Sequence, residues 1–199
     1  MSAQPLGSKA RLVVLISGSG SNLQALLDAC SSAVLPAEVA AVISNKKDAY
    51  GLERARRAGV PACHMPKPKE LDRRVYDASL AEQVSAYHPD WVLLRGWMRL
   101  LSSDFLNRFP QRVINLHPAL PGTFPGAHAI QDAFDAYCEG RITATGVMVH
   151  LVPDEGIDCG PVLGVQNIPI YPEDSLQTLE QRIHTAEHRL VIDVLKQLL

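Results

Sequence analysis

The sequence predicts an α/β fold: a Rossmann-like, mostly parallel sheet with helices on both faces and an antiparallel strand pair in the C-terminal half. Three observations predict it. Short, near-continuous apolar runs alternate with amphipathic stretches of helical period, as strands buried on both faces and their crossover helices do. After His117 the alternation breaks, and two strand-like stretches follow each other without a helix between them. The 199 residues are 47% hydrophobic, enough for one compact core over residues 1–199.

The start, "MSAQPLGSKA", reads as a flexible polar lead-in over residues 1–10. "RLVVLIS" (11–17) is a buried strand closed by "GSGSN". In the next stretch Leu23, Leu26, Leu27 and Cys30 fall at i, i+3, i+4 and i+7, the apolar stripe of a helix. "EVAAVIS" (38–44) is the second strand, and "AYGLERARRAG" (49–59) a helix that Gly59 can stop. A short strand at "VPACHM" precedes a long helix expected from about Lys69 to Tyr87. "PDWVLLRG", a short helix from Ser103, and "RVINLH" complete this part. A Gly- and Pro-rich segment then leads to a helix around "AIQDAFDAY". "TATGVMVHLV" and "GPVLGVQNIPI" form the antiparallel pair, joined through "PDEGIDC". The last helix starts near Ser175, with Asp174 and Gln177 as its expected cap and Leu176, Leu179, Ile183, Ala186 and Leu190 on one face.

A formal net charge of −2 gives no basic footprint for nucleic acid or an acidic membrane surface, so any anion must be held by local geometry. No secretory leader and no apolar run long enough to span a bilayer is apparent, so the expected setting is cytoplasmic. The four cysteines show neither a CxxC pair nor metal-ligand spacing, and no metal is expected. Only Cys159 sits near residues of chemical interest.

"SGSGSNLQ" lies between a strand and a helix, where α/β proteins bind phosphates. Ser21 and Gln24 read as a capping box that leaves the amides of Asn22 and Leu23 free for an anion. The plainer alternative is a turn that needs glycine angles. A dinucleotide fingerprint is incomplete, because Leu23 stands where the third glycine belongs and no acid follows the second strand. A single phosphate suits the loop better.

In "VINLHPALPG", Asn115 and His117 are two apart on a strand and share a face at its C-terminal end, the edge that also carries the glycine loop. Burying both without partners costs several kcal/mol, so acid–base use is the stronger reading. "PDEGIDCG" adds three carboxylates, Asp154, Glu155 and Asp158; spacing alone does not say which of them matters or whether any meets His117.

Five blocks, in order across nearly the whole chain, resemble the folate-dependent formyltransferases: "VVLISGSGSNLQALLDA", "SNKKDAYGLERARRAG", "GWMRLLS", "INLHPALPGTFPGAHAI" and "GVMVHLVPDEGIDCGPVL". The resemblance is strongest to the branch acting on a purine-precursor ribonucleotide. It implies transfer of the formyl group of 10-formyltetrahydrofolate, a co-substrate, to the amine of glycinamide ribonucleotide, without a metal. It also implies small-molecule substrates only, a monomer or homodimer, a phosphate-binding half (11–110), and a catalytic and folate-binding half (111–199).

The catalytic set implied is Asn115, His117 and Asp158, with Asp154 the alternative carboxylate. Asp158 would hold the imidazole cationic or position a relaying water. Gly20, Ser21 and Asn22 would take the phosphate, and Glu187 the sugar or amine end. Met98, Arg99 and Leu100, with Asn115, would line the folate pocket, and His128 and His150 would lie near the substrates. Two features depart from the family pattern: "HPALPGTFPG" carries its proline one place early, and "DEGIDCG" is one residue longer than the "DELDGG" type. The tRNA-directed branch of the family carries an additional C-terminal RNA-binding domain, whereas this sequence ends at Leu199, and the nucleotide-directed branch is therefore expected.

Overall fold

The computed structural model describes residues 9–199. The strands are β1 (Ala10–Ile16), β2 (Ala37–Ser44), β3 (Ala62–His64), β4 (Trp91–Leu94), β5 (Val113–His117), β6 (Ala144–Leu151) and β7 (Val162–Pro169). The helices are α1 (Ser21–Ser31), α2 (Tyr50–Arg57), α3 (Arg73–Ser85), α4 (Ser103–Leu106), α5 (Ala129–Cys138) and α6 (Leu176–Leu198). Most of the lead-in expected over 1–10 lies outside the described residues, and Ala10 already belongs to β1.

The strands form one sheet of order β3-β2-β1-β4-β5-β6-β7. β1 to β5 run parallel, while β6 is antiparallel to both β5 and β7. Strand order reverses at β1, whose neighbours are β2 and β4. A crevice therefore opens beyond the carboxyl ends of β1 and β4, the place where open α/β sheets bind ligands.

Leu12 to Ile16 are all 0% exposed, so β1 is covered on both faces. Leu12, Val14 and Ile16 pack with α1, α2 and α6, whereas Val13 and Leu15 face α3 and α4. That is the period-2 split of a central strand, and it explains why "LVVLI" is apolar throughout. Each fully buried side chain of this kind contributes about 1.5–3 kcal/mol.

Two expected caps, those of α1 and α6, and one expected start, that of α3, are corrected. Ser21 and Gln24 form no capping box: Gly20 is the N-cap at φ 71° without a side-chain cap, and Gln24 is drawn off to Asp28 and Arg54. α3 begins at Arg73, not Lys69, because the Asp72 carboxylate accepts the amides of Arg74 and Val75 and fixes the first turn there. α6 is capped by Ser175 and Thr178; Asp174 instead takes the Tyr171 amide and a two-nitrogen grip from Arg182. Its buried face gains Glu187, Val191, Val194 and Leu195, while Leu176 and Leu190 are only half-buried.

Gly20 is required twice over: its φ is left-handed, and a Cβ there would meet the Gly51 Cα at 2.6 Å. Gly20→Ala is expected to cost about 2 kcal/mol through strain and displacement of α2. A thermal melt would then show Tm lowered by about 4–8 °C.

Candidate active site

The glycine loop leaves β1 and turns into α1. The Gly20 carbonyl takes the Gln24 amide as the first helical bond, so the amides of Ser21, Asn22 and Leu23 precede the hydrogen-bonded ladder. The loop is braced by Arg54, whose Nε donates to the Ser19 carbonyl at 2.9 Å, and by Gly51, whose amide donates to the Gly18 carbonyl. Ser17 ties it to the 96–101 segment by accepting the Met98 amide at 3.0 Å. A preorganised cluster of N–H groups at a helix N-terminus suits an anion.

At the end of β5 the expected meeting takes place. Asn115 Nδ2 donates to Asp158 Oδ1 at 3.1 Å, and His117 Nδ1 lies 3.3 Å from Asp158 Oδ2. His150, opposite Asn115 in the β5–β6 register, joins them: its Nδ1 donates to the Leu151 carbonyl at 2.8 Å, which leaves Nε2 to accept from Asn115 at 3.2 Å. The Gly126 amide, from the Gly- and Pro-rich segment, donates to Asp158 Oδ2 at 3.0 Å.

The three carboxylates of the 153–160 loop divide their work. Asp154 accepts the Gly156 amide within its own turn. Glu155 pairs with Arg73 and accepts the Ser103 amide, which anchors the loop to α3 and α4. Asp158 alone reaches the histidines, from a left-handed backbone at φ 51°. Gly160 lets the chain return, since a Cβ there would lie 1.9 Å from the Leu151 carbonyl oxygen. Cys159 is exposed and free, outside this cluster.

A cavity of about 840 Å³ unites these parts. Gly20, Ser21 and Asn22 line it on one side, Asn115, His117, His150 and Asp158 on another. Met98, Arg99 and Leu100 form a further wall, with Met98 and Leu100 exposed and the Arg99 guanidinium over the Tyr76 ring. His128, exposed at the start of α5, lines the rim away from Asp158's hydrogen bonds. Glu187 is buried and accepts from Asn22 Nδ2 at 3.0 Å and His184 Nδ1 at 2.8 Å. Sequence reasoning missed Arg54, His184 and Arg95. Only Arg95 carried a signal, a charge directly after an apolar strand at the edge where ligands gather.

With this geometry established, relatives are informative. Residues 10–195 match the formyl transferase family. The chain is 48% identical to phosphoribosylglycinamide formyltransferase of Schizosaccharomyces pombe, covering 96% of this chain and 97% of that one. It is 42% identical to the enzyme of that name from Escherichia coli, covering 90% and 82%. The crystal structure of glycinamide ribonucleotide transformylase 1 from Symbiobacterium toebii superposes with a TM-score of 0.90 at 43% identity, covering 98% of this chain and 92% of that one.

Protonation follows from burial and partners. Asp158 lies below the ordinary carboxylate range: burial pushes it up, but contact with His150, the Gly126 amide and the nearby imidazoles outweigh that. The expectation that Asp158 holds His117 cationic is opposed by burial. Burial is the larger effect and takes the imidazole below its ordinary value, against the pull of Asp158 and of the Phe124 carbonyl. His117 Nε2 donates to that carbonyl at 3.0 Å, while Nδ1 faces Asp158 Oδ2 at 3.3 Å. The unfolded ring protonates at about 6.5 and the folded ring at lower pH. Between those values the unfolded chain binds more protons, so His117 makes stability fall as the pH drops through that interval. In an NMR titration His117 is expected to protonate below the free-histidine value, and Asp158→Asn to lower it further by removing the carboxylate; a value above that of free histidine would refute this account.

Proposed function

The chain belongs to the formyl transferase family, and we propose that within it this protein transfers the formyl group of 10-formyltetrahydrofolate to the amine of glycinamide ribonucleotide. One observation carries the proposal: Asn115, His117 and Asp158 converge within hydrogen-bond range in the same cavity as a phosphate-ready glycine loop. The near-full-length identity to enzymes named for this reaction supports it.

The substrate's 5′-phosphate would rest on the helix-start amides of the glycine loop, with Asn22 and Glu187 beside the sugar. The folate would lie along Met98, Arg99 and Leu100, and the exposed apolar side chains of Met98 and Leu100 suit a flat ring system. The reaction forms one C–N bond, from the attacking amine to the formyl carbon. It breaks another, at the departing folate nitrogen. A proton must leave the first nitrogen and reach the second.

His117 is suited to carry that proton. As a neutral base it accepts from the attacking nitrogen, and as an imidazolium beside the Asp158 carboxylate it delivers to the leaving one. Burial, which keeps the ring uncharged before reaction, strengthens its pairing with Asp158 once it is charged. Asn115 Nδ2, by releasing the N–H it shares with His150, would supply a donor for the oxygen that becomes negative as the amine adds. Asp158 also keeps Asn115 oriented, so one carboxylate governs both groups.

Turnover is read from release of tetrahydrofolate with glycinamide ribonucleotide as acceptor. His117→Ala and Asp158→Asn are each expected to lower kcat by about 10² or more, the magnitude of a lost acid–base group. Turnover within tenfold of the unaltered protein in both variants would discard the assignment. Asn22→Ala is expected to raise KM for the ribonucleotide with kcat nearly unchanged, as loss of uniform binding does.

A further inference from the structure

Arg95 is the one arginine of the cavity wall that nothing in the mechanism above uses. It is 3% exposed, and none of its three side-chain nitrogens has a hydrogen-bond partner. A buried guanidinium without partners is strongly disfavoured, and five N–H donors are left open. Burial takes it down to about 9, and Glu187 is the charge that works against that fall. Yet the two form no direct ion pair, and both line the same cavity, where a polar ligand group can reach them.

The direction of the side chain follows from β4. Leu93 packs in the core on the α6 side and Leu94 on the opposite side. The Arg95 amide still donates to the Leu15 carbonyl at 2.9 Å, so the alternation continues and Arg95 turns toward α6. There Glu187 follows the buried Ala186. Position along the sheet matters equally. β4 lies between β1, which ends in the glycine loop, and β5, which ends in Asn115 and His117. Two strand gaps span about 10 Å. A ligand with its phosphate over β1 and its amine over β5 carries its middle across the end of β4. In a glycinamide ribonucleotide the middle is the ribose.

Resting on the proposed function, we propose that Arg95 is a substrate-binding residue whose guanidinium donates to a ribose hydroxyl that in turn donates to Glu187. A hydroxyl both accepts and donates, so a fixed donor facing a fixed acceptor reads it specifically. An analogue lacking that hydroxyl leaves the buried guanidinium unpartnered and Glu187 with Asn22 and His184 alone, and rejection is correspondingly strong.

The test compares glycinamide ribonucleotide with its 2′-deoxy and 3′-deoxy analogues in the unaltered protein and in Arg95→Met. The unaltered protein is expected to show KM at least tenfold higher for one of the analogues. In Arg95→Met, KM for the ribonucleotide rises at least tenfold and the preference over that analogue shrinks to threefold or less. KM for 10-formyltetrahydrofolate and kcat stay within threefold. Because methionine fills a similar volume without a charge, the Tm of the ligand-free variant is expected to be unchanged or higher. Should Arg95→Met not fold, Arg95→Lys, which keeps the charge but not the fork, is expected to lose at least half of the logarithmic preference. Unchanged KM values in the variant, or an increase equal for all three substrates, would overturn the ribose contact while leaving the proposed function intact. An unaltered protein inactive on glycinamide ribonucleotide would overturn the function itself.

Discussion

Asp158 is approached by groups from three parts of the chain: Asn115 and His117 from β5, Gly126 from the Gly- and Pro-rich segment, and His150 from β6, whose Nε2 lies 3.6 Å from Oδ1. A carboxylate with one oxygen facing an amide and the other facing an imidazole fixes the relative positions of both. Reaching that place requires the left-handed backbone at Asp158, the close pass of Gly160 under Leu151, and the anchoring of Glu155 to Arg73 and Ser103. Without them Asp158 does not reach the end of β5, and Asn115 and His117 keep only His150 and the Phe124 carbonyl as partners. Strain of this kind, about 1–3 kcal/mol for a non-glycine residue in such a conformation, persists only where the surroundings over-determine it.

The sheet turns that local cluster into a site for a ligand with two ends. Because strand order reverses at β1, the glycine loop and the end of β5 flank the same crevice with only β4 between them. The two tasks of the proposed function, holding an anion and moving a proton, are thereby set a fixed distance apart by backbone hydrogen bonds, not by flexible side chains. The antiparallel turn of β6 adds His150 directly opposite Asn115, which places a second imidazole beside the carboxylate without lengthening any loop.

Much of this was legible in the sequence, for identifiable reasons. Strands buried on both faces leave unbroken apolar runs, so β1 and β2 declared themselves; β5 betrayed its site because Asn115 and His117 break such a run with period 2. The helix starts were less legible because capping depends on which side chain is free to turn inward. Gln24 has the right spacing from Ser21 but is claimed by Arg54 and Asp28, and Asp174 is claimed by Arg182. The choice among three carboxylates in "PDEGIDCG" could not be made by spacing, since it is decided by partners on α3, α4 and β5 far away in the chain. The balance of effects on His117 was illegible for a similar reason. A neighbouring carboxylate is foreseeable from a motif, but 3% exposure is a property of the packed fold, and here burial outweighs the neighbour.

A net charge of −2 leaves this protein no long-range field with which to gather an anionic substrate. What it has is short-range: amides at the start of α1, a glycine that brings α2 close behind them, and a fully enclosed guanidinium at Arg95 opposite Glu187. Each acts within a few ångströms and in surroundings that exclude water, where an electrostatic contact is several times stronger than at the surface. Salt screens exposed charges over about 8–10 Å but penetrates such a crevice poorly. Recognition built this way depends on shape before charge. On the proposed reading, an anion that cannot place its middle over β4 and its far end at Asn115 and His117 leaves the buried Arg95 guanidinium unpaired, and phosphate alone does not make a ligand.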